Sequence, residues 1–64
     1  MSLKAIESFK QKLLSGEEIT SPKKNLIGYF EEGYYKVGFW ENNKRHSVRE
    51  YFNVKDLIKA LKLV

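Results

Sequence analysis

The residue types in this chain best suited to chemistry are cations and aromatics at close spacing. Tyr34, Lys36, Trp40, Lys44, Arg45, Arg49 and Tyr51 all fall in one stretch, divided by Asn42-Asn43. Ammonium and guanidinium groups bind phosphate or carboxylate, and a neighbouring aromatic ring offers a face for stacking or a cation–π contact. Such a set suits recognition of an anionic, stackable partner. Groups for bond-making are scarcer. The chain has no cysteine, hence no thiol nucleophile, disulfide or thiolate metal site. Its one histidine, His46, does not make a multi-histidine metal centre. His46 is expected to point inward at the sheet margin near Phe39, and Glu50 shares its face but lies four residues along the strand. Ser15, Ser21 and Ser47 have no nucleophile context, and Glu17-Glu18 and Glu31-Glu32 read as solvated loop charges. None of the four glycines follows a strand into a helix, so they form no phosphate loop. The expectation is a non-enzymatic protein without metal or cofactor. A small ribonuclease pairing His46 with a Lys or Glu is the enzymatic alternative.

The positioning elements follow from periodicity. Leu3, Ile6, Phe9, Leu13 and Leu14 recur at spacings of three and four, with lysines and glutamate on the other side. This predicts an amphipathic helix over about 3–15, capped by Ser2 and closed by Gly16. Residues 17–24 read as a connector. Pro22 keeps Ser21 out of helical conformation, and Ile19 is expected to plug the edge of the core. Leu26 to Glu31 reads as a strand. Glu32-Gly33 then makes a two-residue turn, which pairs Glu31 with Tyr34, Phe30 with Tyr35, Tyr29 with Lys36, Gly28 with Val37, Ile27 with Gly38 and Leu26 with Phe39. Asn42-Asn43 makes a second tight turn. It pairs Trp40 with Arg45, Phe39 with His46, Val37 with Val48, Lys36 with Arg49 and Tyr34 with Tyr51. Asn53 and Asp56 resemble a capping box, with Phe52 and Leu57 as a hydrophobic staple. They open a final helix over 53–64 whose buried stripe is Val54, Leu57, Ile58 and Leu61.

The order α-β-β-β-α predicts one α+β domain over residues 1–64, a two-layer structure with both helices on one face of a three-stranded antiparallel meander. The covered face would carry Tyr35, Val37, Phe39, Val48 and Phe52. The open face would carry Tyr29, Tyr34, Lys36, Trp40, Arg45, Ser47, Arg49 and Tyr51, with Gly38 at its centre. Lys36 opposite Arg49 is a like-charge pair, destabilising unless an anion lies between them. Gly38 leaves room for another backbone to approach closely.

The open face therefore predicts DNA or RNA binding. Lys36, Arg45 and Arg49 would neutralise phosphate, Trp40 and nearby tyrosines would stack on bases, and Lys23, Lys24 and Lys44 would line the rim. The sequence Gly33-Tyr-Tyr-Lys-Val-Gly-Phe-Trp40, the asparagine turn, the arginine-bearing third strand and Tyr51-Phe-Asn-Val-Lys-Asp-Leu57 extend this reading. Through them residues 28–61 resemble the three-stranded-sheet DNA-binding domains of plant ethylene-response factors and integrase arm-binding domains. The resemblance implies that the open sheet enters a major groove through Lys36, Trp40, Arg45 and Arg49. Those domains lack this N-terminal helix and carry more arginine. The element order also resembles double-stranded-RNA-binding domains in outline, though those bind through helices rather than the sheet.

Alternatives of another class stay open. Tyr and Trp favour strands for packing alone, and Tyr, Trp and Arg are also the residues that dominate protein interfaces. The same face, or the edge strand 26–31, would serve a small protein-binding regulator or inhibitor of the kind encoded by mobile elements and phages. An unprotected edge also leaves room for a homodimer. The net charge is +4 over 64 residues, with the cation excess concentrated in 33–49. No apolar run has membrane-spanning length and no signal peptide is recognisable, so a cytoplasmic, non-membrane protein is expected.

Overall fold

The computed structural model describes residues 2–22 and 25–63. Two helices, α1 (Leu3–Leu14) and α2 (Val54–Ala60), accompany four strands: β1 (Ile19–Thr20), β2 (Ile27–Glu31), β3 (Tyr34–Glu41) and β4 (Lys44–Tyr51). The strands form one antiparallel sheet in the order β1-β2-β3-β4. The α+β class follows. The sheet is four-stranded rather than three-stranded, because the connector contributes β1, which pairs Ile19 with Gly28 and Thr20 with Ile27. Among the described residues no helix is long and apolar enough to cross a membrane.

Local chemistry explains the element ends. The Ser2 hydroxyl accepts the Ala5 N–H at 3.2 Å and caps α1. At the other end Gly16 takes φ +97°, and the N–H groups of Gly16 and Glu17 return to the carbonyls of Leu13 and Lys12. That double return satisfies carbonyls that the last helical turn leaves unpaired. Asn53 caps α2 by accepting the Asp56 N–H at 3.0 Å, and its amide donates back to the Asp56 carboxylate at 3.0 Å. The C-terminal helix stops earlier than its periodicity predicts. Lys62 enters the left-handed region at φ 58°, and Leu63 N–H returns to the Ile58 carbonyl.

Both hairpin turns have two residues with positive φ: Glu32 (56°) with Gly33 (84°), and Asn42 (54°) with Asn43 (62°). These mirror-image turns match the right-handed twist of the strands they join. The β2–β3 register agrees with the turn-based expectation from Glu31↔Tyr34 to Ile27↔Gly38. The β3–β4 register agrees only as far as Gly38↔Ser47. A β-bulge then leaves Val48 without a partner, and Val37 faces Arg49, Lys36 faces Glu50 and Tyr35 faces Tyr51. Everything in β4 beyond the bulge therefore changes sides relative to the unbulged expectation.

Leu13, Ile19, Tyr35, Val37, Val54, Leu57, Ile58 and Leu61 form one buried cluster, with Ile6, Phe9, Leu26, Phe30 and Tyr51 packed on it. Ile19 thus joins the core, as its apolar character in a polar connector predicts. Gly28 admits α2 to the sheet: a Cβ there would lie 2.7 Å from Leu61 Cδ1 and 3.0 Å from Leu57 Cδ2. Ser21, buried, donates its hydroxyl to the Leu61 carbonyl at 2.7 Å and ties the β1 end to the end of α2. Three expected core residues lie elsewhere. Val48, in the bulge, is 61% exposed and Phe52 is 85% exposed. The staple on Leu57 gives way to a Tyr34–Phe52 ring contact, centroids 5.5 Å apart. Phe39 is half-buried and stacks on His46, at 5.4 Å and 22°.

Candidate docking face

Pairing across the ladder sets which side chains share a side. Tyr29 faces Lys36, Ile27 faces Gly38, Trp40 faces Arg45, and Lys36 also faces Glu50. These residues line the side opposite Tyr35 and Val37. Arg49 and Tyr51, expected beside Lys36, belong by their partners Val37 and Tyr35 to the other side. Tyr51 is half-buried against the core, while Arg49 is exposed with its guanidinium 5.8 Å from the Tyr51 ring.

The cations of this face are already paired. Lys36 is only 6% exposed. Its ammonium lies 3.4 Å from Glu31 Oε1 and 3.5 Å from Glu50 Oε2. The like-charge Lys36–Arg49 opposition is thus replaced by a Lys36–Glu50 ion pair, and the bulge makes the difference. Desolvation pulls the Lys36 pKa down, but the hydrogen bond to Glu31 and the charges of Glu32, Glu31 and Glu50 together outweigh it and hold the pKa above the ordinary lysine value. Arg45 reaches Glu18 Oε2 at 3.2 Å through one terminal nitrogen and Glu31 Oε2 at 3.3 Å through the other. Its guanidinium lies over the Tyr29 ring at 4.3 Å and 5.8 Å from the Trp40 ring. Tyr29 is 2% exposed although it lies on the sheet side away from the main core. The stems and heads of Arg45 and Lys36 are what its neighbours offer as cover.

Trp40 is 53% exposed and donates Nε1–H to Glu18 Oε1 at 3.1 Å. Tyr34 is partly exposed at the other end of β3, against Phe52. Lys44 is exposed opposite Glu41 beside the Asn42-Asn43 turn. Lys23 and Lys24 lie outside the described residues. His46 is exposed, its Nε2 3.3 Å from the Glu41 carbonyl oxygen, and among the described residues no acid side chain is hydrogen-bonded or ion-paired with it. Among the described residues no group of three or more His, Asp or Glu is placed to hold a metal ion.

Three carboxylates of this face were not among the expected site residues: Glu18, Glu31 and Glu50. The first two read as loop charges. The signal for Glu31 was its pairing with Tyr34, which puts it on the side of Lys36, whereas Glu50 reaches that side only through the bulge. Gly38 was the sharper clue, because an isolated glycine within a strand marks a bulge or a close backbone approach. A Cβ at Gly38 would run into the His46 carbonyl, so the approaching backbone is the neighbouring strand itself. The face as built combines a neutralised polar centre with exposed aromatics at both ends. No family model, no curated protein and no solved structure matches the chain.

Proposed function

We propose that this chain is a small non-enzymatic interaction module that docks a protein partner on the open side of its sheet, with both helices covering the Tyr35–Val37 side. One observation carries the reading. Lys36 and Arg45, the two cations at the centre of the open face, are bound to Glu18, Glu31 and Glu50, while Trp40, Tyr34 and Phe52 stay exposed. A centre whose two cations are already held by carboxylates has little free positive charge to offer a run of phosphates. Exposed aromatics with arginine nearby are the usual anchors of protein interfaces. The net charge of +4 favours an acidic partner surface.

Nucleic acid is the second reading. The observation favouring it is that the ion pairs among the described residues use only Lys36 and Arg45. Lys44, Arg49 and the helical lysines then supply the positive field, with Trp40 or Tyr34 stacking on a base. One experiment separates the two. Trp40→Ala and Phe52→Ala are compared with the unmodified chain for binding to a purified protein partner and to DNA and RNA oligonucleotides across a salt series. Docking predicts a nuclease-resistant protein complex weakened at least about tenfold by either substitution. Tight oligonucleotide binding with a steep inverse salt dependence, quenched at Trp40, replaces it with the nucleic-acid reading.

A further inference from the structure

Glu18 is the carboxylate that spans Trp40 and Arg45. Its two carboxylate oxygens are shared out, Oε1 to the Trp40 indole N–H at 3.1 Å and Oε2 to Arg45 at 3.2 Å. The two halves of this contact differ in construction. Trp40 and Arg45 face each other across the β3–β4 ladder. Arg45 is braced from below by the buried Tyr29 ring and from the side by Glu31. Arg45 therefore has two supports, the Tyr29 ring and Glu31, that do not depend on Glu18. Glu18, by contrast, comes from the short segment between α1 and β1, which is neither helix nor strand.

We propose that Trp40 and Arg45 form a carboxylate receptor, closed in cis by Glu18 and opened in trans by a Glu or Asp side chain of an acidic protein segment. The proposal rests on the docking face argued above and names the chemistry of its partner. Exchange of one carboxylate for another leaves the charge balance with Glu31 and Glu50 unchanged. A nucleic-acid strand entering the same place would add several phosphates beside both glutamates. An arginine already braced by Tyr29 and Glu31 lowers the ordering cost of binding. A tethered occupant competes at an effective concentration of roughly millimolar order, so Glu18 excludes free carboxylates and yields only to a segment that makes further contacts.

The test uses the full chain, its Glu18→Ala and Glu18→Gln variants, and the indole N–H resonance of Trp40, the chain's one tryptophan. Sodium acetate should move that resonance in Glu18→Ala back toward its position in the unmodified chain, while sodium chloride at equal ionic strength should not. A synthetic Glu-rich peptide should bind both variants about tenfold more tightly than the unmodified chain, and its Gln-substituted counterpart should show no such gain. Absence of an acetate-specific response, or equal peptide affinity in all three proteins, overturns the receptor. A larger response to inorganic phosphate than to acetate overturns its assignment to carboxylates. The docking face fails separately: if Tyr34→Ala and Phe52→Ala leave binding of the Glu-rich peptide intact while acetate still answers in Glu18→Ala, the receptor stands and the wider docking face falls.

Discussion

Single residues on the open face are constrained from two directions, space and charge. Gly38 shows the first. A methyl group there meets the His46 backbone carbonyl, which cannot swing aside as a side chain can. Gly38→Ala should cost on the order of 3 kcal/mol, because relief requires moving a strand. Gly28→Ala meets only the methyl ends of Leu57 and Leu61 and should cost about 1 kcal/mol. Urea denaturation of both variants checks the ranking, and equal losses would mean that β4 yields freely at the bulge. Lys36 shows the second constraint. Its folded pKa is raised above 10.5, so its contribution to stability is complete below the unfolded value and is lost as pH climbs through the higher folded one. Urea midpoints should hold steady up to that range and then fall, and Lys36→Met should flatten this alkaline fall. The aromatic and cationic residue types of the face were legible in the sequence. Their saturation by Glu18, Glu31 and Glu50 was not: Glu18 lies in a loop with no periodic signal, Glu31 ends its strand beside a turn, and Glu50 reaches Lys36 only because of the bulge.

At the scale of elements, turn chemistry and alternation were sufficient for the β2–β3 hairpin. Glu32-Gly33 fixed the register, and every pair then placed like environments together. The β3–β4 hairpin shows where that logic ends. A two-residue turn fixes pairing only until an extra residue intervenes, and Val48 is that residue. Deleting Val48 should therefore leave Val37 opposite Arg49 and Lys36 opposite Glu50, since it removes only the unpaired position. Cross-strand NOEs should persist between those pairs, with a stability change on the order of 1 kcal/mol. A shift that brings Glu50 opposite Val37 would show that the bulge is set by something other than the extra residue. The short α2 has a comparable cause. Its apolar stripe continues in sequence, yet Lys62 adopts positive φ and ends it. A non-glycine residue there bears a steric cost, so Lys62→Gly should stabilise the fold by about 1 kcal/mol, read as a raised thermal midpoint.

For the molecule as a whole, the decisive fact is how few side chains are fully buried. Leu13, Leu57 and Leu61 are the largest of them, drawn from α1, α2 and the C-terminal cap of α2, and they meet Tyr35 and Val37 of the sheet in one cluster. A chain of 64 residues has a stability of roughly 3–10 kcal/mol. Leu57→Ala removes transfer energy and leaves a cavity, costing about 2–5 kcal/mol. The loss is comparable with the whole margin, so that variant should lose cooperative unfolding and near-ultraviolet circular dichroism together. The Ser21 hydroxyl at the Leu61 carbonyl joins the N-terminal half to the last helical turn. Ser21→Ala should cost about 1–2 kcal/mol by stranding that buried acceptor and should leave a folded but less stable protein. Trp40→Ala belongs to a different category, because the indole is half in solvent and outside the core cluster. Its stability should fall by less than about 1 kcal/mol, which makes it a clean probe of docking. If Trp40→Ala instead unfolds the domain as Leu57→Ala does, the open face is a second structural core closed by Glu18, and the exposed indole is part of what holds the sheet together rather than what meets a partner.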